Sequence, residues 1–200
     1  QQEAWPINFE GRRRLEYRGY DSAGIAIVGP QGDLQLRKTV GKVNGLNGAG
    51  TGPHPGGTVG LGPPRWATHG RPSHENAHPH ISNQNNVAIV HNGIIENFRE
   101  LRAELSKDGV EFVTDTDTET VVLLTQKYMA EGLGPVDAAT KTIARLHGAF
   151  ALAFLFDGED DLMIGARKGA PLAVGYGDNE MYLGSDAIAL SPMTDRVTYL

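Results

Sequence analysis

The 200-residue chain contains no cysteine. That excludes disulfides, thiolate metal sites and any thiol nucleophile supplied by these residues. Long apolar runs are also missing, and none approaches the roughly 20 residues that a membrane-spanning helix requires. The first residues, QQEAWPINFEGRRR, have neither an apolar core nor a small-residue cleavage site, so they do not read as a secretory signal. These absences predict a cytoplasmic protein with no membrane partner. Positive charge is in short supply as well: 18 Lys and Arg against 24 Asp and Glu give a net charge of −6. Without a basic stripe, nucleic acid is excluded as a partner.

What is present suits one domain. A hydrophobic content of 40% is enough for a sizeable core, and the chain shows neither an internal repeat nor a domain linker. Residues 1–17 hint at a helix with a ragged start, weakened by Pro6 and Gly11. Gly24 to Val28 and Asp33 to Lys38 read as a hairpin around Pro30-Gln31-Gly32. Residues 41–57 hold seven glycines and two prolines, which predicts a mobile loop. A short strand follows at Thr58 to Leu61. Ile94 to Ser106 has an apolar face of Ile94, Phe98, Leu101 and Leu105, which predicts an amphipathic helix. Thr116 and Glu119 have capping-box spacing for a second helix, placing Asp117 in its first turn. Pro135 opens a third. Five strands then follow: Phe150 to Phe156, Leu162 to Ala166, Leu172 to Gly175, Met181 to Gly184 and Val197 to Leu200. Strands, three successive helices and more strands indicate an α+β layered domain rather than alternating βαβ units.

The stretch from Arg65 to Gly93, RWATHGRPSHENAHPHISNQNNVAIVHNG, concentrates five of the seven histidines. Its apolar run Val87 to Val90 predicts a four-residue buried strand, with His91, Asn92 and Gly93 emerging at the end where sheet hands over to loop. Asn92 offers a side-chain N–H and Gly93 a backbone N–H with no side chain in the way, the two-donor arrangement that stabilises an oxyanion. The pair also reads as an ordinary turn. Arg65 offers a planar fork suited to a carboxylate. His74, His78 and His80 could suggest zinc, but a proline-broken loop without cysteine is a weak version of that pattern, and the reading is no metal.

Five ordered blocks carry a resemblance: RRLEYRGYDSAG (13–24), RWATHG (65–70), PSHENAHPH (72–80), HNGIIEN (91–97) and TDTET (116–120). Together they resemble the class II glutaminase domain of the glutamine–fructose-6-phosphate aminotransferases. The resemblance implies the four-layer αββα sandwich of N-terminal-nucleophile hydrolases, here lacking its first strand and its last strand or strands, so that residues 1–200 are one domain incomplete at both ends. It implies L-glutamine and L-glutamate as ligands, the sugar-phosphate isomerase domain of a parent enzyme as partner, and no cofactor. In the family a leading cysteine attacks the glutamine amide; no such residue occurs here, so the chain as written is expected to be inactive.

Site roles follow position by position. Arg65 resembles the arginine that grips the α-carboxylate of glutamine, with Thr68 and His69 completing that site, and Asp117 the aspartate that takes the α-ammonium. Asn92 and Gly93 match the oxyanion hole, and Arg18 an arginine near the nucleophile. Trp66 falls in the loop that covers glutamine, and His78 would hold the architecture of the pocket loop. Each also has a structural alternative: a surface ion pair for Arg65, a helix cap for Asp117, a core position for Trp66, plain scaffold roles for Arg18 and His69. As a whole, the competing reading is a non-catalytic module that binds glutamine or glutamate without turnover.

Overall fold

The computed structural model describes residues 2–15, 22–40, 43–47, 53–62, 64–65, 73 and 76–200, with 11–15, 43, 47, 64 and 65 described as backbone. Four layers stack. The outermost is helix α1 (Ala4–Leu15), in which Pro6 falls within the first turn, where no backbone donor is lost. Ala4 and Trp5 bury against Ala23, Ile25 and Ile27 of strand β1 (Ser22–Val28). Strand β1 is the centre of the first sheet. It pairs antiparallel with β2 (Leu34–Val40) on one side, and with β3 (Val59–Leu61) and β4 (Pro64–Arg65) on the other.

The alternate residues of β1 face the second sheet. There Ala26 and Val28 meet Ala88, Ala153 and Leu155, and small side chains on both surfaces let the layers approach closely. The second sheet has the order β5-β6-β7-β8 (His80–Ile81, Val87–Ile95, Gly148–Phe156 and Ile164–Lys168). Its far face carries Val87 and Ile89 of β6 and Phe150, Leu152, Phe154 and Phe156 of β7, all packed beneath the helices. Each buried phenylalanine contributes on the order of 2–3 kcal/mol.

Three helices form the fourth layer: α2 (Phe98–Lys107), α3 (Asp117–Ala130) and α4 (Pro135–Ala144). Ten of the fourteen residues of α3 are buried, nine of them in the unbroken run Asp117–Thr125, so its N-terminal two turns lie in the core. Arg145, which caps α4, donates to both carboxylate oxygens of Glu104 on α2 at 2.9 and 2.6 Å, and to the Tyr128 hydroxyl on α3 at 3.1 Å. A small third sheet, β10-β9-β11 (Met181–Gly184, Ala173–Tyr176 and Val197–Tyr199), and the short helix α5 (Ala187–Leu190) complete the described residues.

Three expectations from the sequence are corrected. Strand β6 does not end at Val90. Its register with β7 runs unbroken from Val87 opposite Phe156 to Ile95 opposite Gly148, so His91, Asn92 and Gly93 lie within the strand rather than at its exit. The expected helix Ile94 to Ser106 consequently begins at Phe98. The Ile94–Phe98 spacing matched a helical face by coincidence, and cross-strand pairing with Ala149 places Ile94 in the ladder, 46% exposed. In the glycine-rich 41–57 segment, Val43–Asn47 forms a 3-10 turn whose Leu46 is 1% exposed against β1 and α1. One leucine with a core socket orders that turn despite its composition.

Candidate active site

One end of the sandwich gathers polar groups. Among the described residues, eleven of the fourteen buried polar side chains fall in 76–82, at 91 and in 114–120. Burying polar groups costs free energy unless each is paired, so such a concentration needs a dense hydrogen-bond network, which is present.

The N-terminus of α3 is its hub. Thr116 caps the helix, its Oγ1 accepting the Glu119 N–H at 3.3 Å. The Glu119 side chain does not reach back to Thr116 as a full capping box would. It turns to the incoming loop and accepts from the Val113 and Thr114 N–H groups, both at 2.8 Å, and from the Thr114 hydroxyl at 2.7 Å. Asp117 is 2% exposed. Its Oδ2 accepts the Ile95 N–H at 2.9 Å, and its Oδ1 lies 3.7 Å from His91 Nδ1. The carboxylate is thereby moored to the same strand segment that carries Asn92 and Gly93.

Alternation along β6 divides these groups. His91 follows Val87 and Ile89 onto the helical face and reaches Thr118 Oγ1 at 3.0 Å. Asn92 follows Ala88 and Val90 onto the other face and is exposed. Gly93 has φ +117°, and a Cβ there would lie 2.2 Å from the Ala149 carbonyl oxygen. Only glycine fits.

The loop before β5, with a cis His78–Pro79 bond, closes this end. His78 Nε2 and Thr118 Oγ1 lie 3.0 Å apart, and His80 Nε2 and Thr116 Oγ1 3.1 Å apart. The loop presses so closely on the first sheet that a Cβ on Gly24 would meet the His78 carbonyl oxygen at 2.3 Å. Opposite Ser22, two residues before Gly24, the register places the Arg65 backbone. His78, Asn92, Gly93, Asp117 and the backbone of Arg65 are therefore gathered at one end of the fold. Arg18, Trp66, Thr68 and His69 lie outside the described residues. Sequence reasoning gave no role to Thr118 or to the ring of His91; the signal was the alternating TDTDTET run (114–120), from which only a helix start, a block of the resemblance and Asp117 were taken.

A cleft of about 470 Å³ lies elsewhere, between α1, β3 and β10. Among the described residues, its lining includes the carboxylates of Asp161 and Glu180 but no lysine, arginine or histidine, so these residues offer no cationic partner for an amino-acid carboxylate.

Known proteins resemble this chain in sequence and in fold. A family model for a glutamine amidotransferase domain matches residues 67–192. The glutamine–fructose-6-phosphate aminotransferase (isomerizing) of Gluconobacter oxydans strain 621H is 56% identical over 200 residues, covering 100% of this chain and 32% of the relative. That of Caulobacter vibrioides is 52% identical over 192 residues, or 96% and 31%. The chain thus spans about a third of these relatives. Among solved structures, glutamine phosphoribosylpyrophosphate amidotransferase from B. subtilis, complexed with ADP and GMP, superposes with a TM-score of 0.78 at 26% identity, covering 100% of this chain and 43% of that one. An allosteric regulatory enzyme of purine biosynthesis superposes at 0.81 with 27% identity, covering 98% and 42%. With the family model matching well over half of its length, and the layered αββα sandwich expected of such domains in place, the chain belongs to the glutamine amidotransferase domain family.

Proposed function

We propose that these residues form the glutamine-hydrolysing domain of a longer cytoplasmic enzyme that passes ammonia to fructose 6-phosphate to make glucosamine 6-phosphate. The observation that carries this reading is the mooring of Asp117 to the Ile95 N–H, which holds a carboxylate beside the strand bearing Asn92 and Gly93. Arg65 takes the α-carboxylate of glutamine, with Thr68 and His69 beside it, and Asp117 takes the α-ammonium. The side-chain amide is then directed at Asn92 and Gly93. Attack by a thiolate on the amide carbon puts negative charge on its oxygen. The Asn92 side-chain N–H and the Gly93 backbone N–H receive that charge, one good donor contributing about 3 kcal/mol to the transition state. The adduct collapses with cleavage of its C–N bond. The proton that the free α-amino group of the attacking cysteine took from the thiol passes to the nitrogen, which leaves as ammonia. Water then hydrolyses the resulting thioester to glutamate and restores the thiol.

The thiol must come from outside the 200 residues, which contain no cysteine. Arg18 would lower the pKa of that thiol, Trp66 would cover the bound glutamine, and His78 holds the pocket loop. The isomerase domain, with its own sugar-phosphate pocket, would occupy the remaining length of the parent protein. The lack of a thiol favours one further reading, a module that binds glutamine or glutamate without turnover. Ammonia release from the 200 residues preceded by a segment with a free N-terminal cysteine, against the 200 residues alone, separates the two.

Recognition is tested by calorimetry. Arg65→Ala is expected to weaken L-glutamate binding by about 1.5–3 kcal/mol through loss of a charge-assisted carboxylate contact, with the circular dichroism spectrum unchanged. A folded variant that binds as the parent does would remove Arg65 from the site.

A further inference from the structure

We propose that Thr118 is a positioning residue whose hydroxyl, set between the rings of His78 and His91, fixes the tautomer of each and locks the His78–His80 loop in register with Asn92 and Gly93. The consequence for ligand binding rests on the glutamine reading; the arrangement of protons does not.

A threonine hydroxyl has one proton to give. Thr118 Oγ1 lies 3.0 Å from His91 Nδ1 and 3.0 Å from His78 Nε2. His91 Nδ1 also lies 3.7 Å from Asp117 Oδ1, and a carboxylate oxygen only accepts. A ring lone pair aimed at both would oppose the carboxylate charge, so Nδ1 carries the proton of His91 and donates to Thr118. The Thr118 proton then has one place to go, the lone pair of His78 Nε2. His78 is left with its own proton on Nδ1. The order Asp117, His91, Thr118, His78 is thus directional, and reversing any member sets two lone pairs or two protons against each other.

A second chain beside the first runs by the same rule. Glu119 Oε2 accepts the Thr114 hydroxyl at 2.7 Å, and Thr114 and Thr116 Oγ1 are 2.8 Å apart, so Thr116 gives its proton to Thr114. Thr116 Oγ1 must therefore accept from His80 Nε2–H at 3.1 Å. The two histidines flanking Pro79 are held in opposite tautomers, each specified from a carboxylate at the start of α3. Because the first chain crosses from the loop to β6 while Asp117 holds the Ile95 N–H, loosening Thr118 lets the loop move relative to the amide-binding strand.

The test is a long-range ¹H–¹⁵N correlation of the histidine rings in the 200-residue chain, in Thr118→Ser and in Thr118→Val, combined with calorimetric titration of L-glutamate. The parent and Thr118→Ser are expected to show Nδ1–H on both His78 and His91 and affinities within about twofold of each other. Thr118→Val keeps the shape but leaves His78 Nε2 without its donor; it should lose the single tautomer of His78 and weaken glutamate binding about tenfold. A parent His78 protonated on Nε2, or a folded Thr118→Val that binds glutamate as the parent does, overturns the proposal. A parent that binds no glutamate removes the glutamine reading instead. The ring nitrogens still decide the bridge, since Nδ1–H on both rings supports it and any other pattern refutes it.

Discussion

Gly93→Ala is expected to lower stability by about 3–5 kcal/mol, a rare magnitude for removing no contact at all. Two effects add. At φ +117° an L-residue occupies backbone space that costs roughly 1–3 kcal/mol. The new methyl would also stand 2.2 Å from the Ala149 carbonyl oxygen, with the Phe150 Cα at 2.8 Å. Neither neighbour yields readily, because both belong to the backbone of β7, which is paired residue by residue with β6. For a domain of this size the change is a fall in Tm of about 10 °C or more. Urea denaturation monitored by circular dichroism measures it; a variant within about 1 kcal/mol of the parent would mean that this part of β6 is not constrained as described. In the proposed reaction the same geometry would present the Gly93 backbone N–H from a strand with no side chain to cover it.

Glu119→Ala is the second large effect, expected at about 3 kcal/mol. The carboxylate is 3% exposed and accepts from two backbone N–H groups and one hydroxyl, all within 2.8 Å. Truncation leaves the Thr114 N–H and hydroxyl buried without acceptors, at about 1–3 kcal/mol for each such group, offset in part by water entering from the exposed Val113 side. Glu119→Gln keeps one acceptor but turns an N–H₂ toward donors, so it should fall between alanine and the parent. Chemical denaturation of the three proteins gives the order directly. Equal stability of alanine and glutamine variants would show that the paired acceptors do not hold the loop before α3.

Much of this was legible in the sequence because local signals and tertiary demands coincided. Thr116 three residues before Glu119 marks a helix start, and the structure caps α3 there. The alternation of large and small residues in β7 states which face meets the helices and which meets the other sheet. Legibility failed where a partner strand outweighed a local pattern. Ile94 lies at helical spacing from Phe98, yet nothing local announces that Gly148 and Ala149, more than fifty residues on, will extend the ladder to Ile95. Leu46 was hidden for a similar reason: composition describes the glycines around it but not the socket between α1 and β1 that receives it. At the site, residue types pointed to Asn92, Gly93 and Asp117, whereas Thr118 and the His91 ring touch other side chains and become visible only once β6, α3 and the Pro79 loop are brought together.

The central claim, that the end of the sandwich formed by β6 and the start of α3 receives an α-amino acid, is tested most directly by following backbone amide resonances of the ¹⁵N-labelled chain during titration with L-glutamate. The account predicts saturable shifts sharing one Kd at Asn92 to Ile95 and at Thr116 to Thr118, with that Kd raised about tenfold or more in Arg65→Ala. Shifts confined instead to the cleft around Ile7, Met163 and Tyr182, or none at millimolar glutamate, would contradict it.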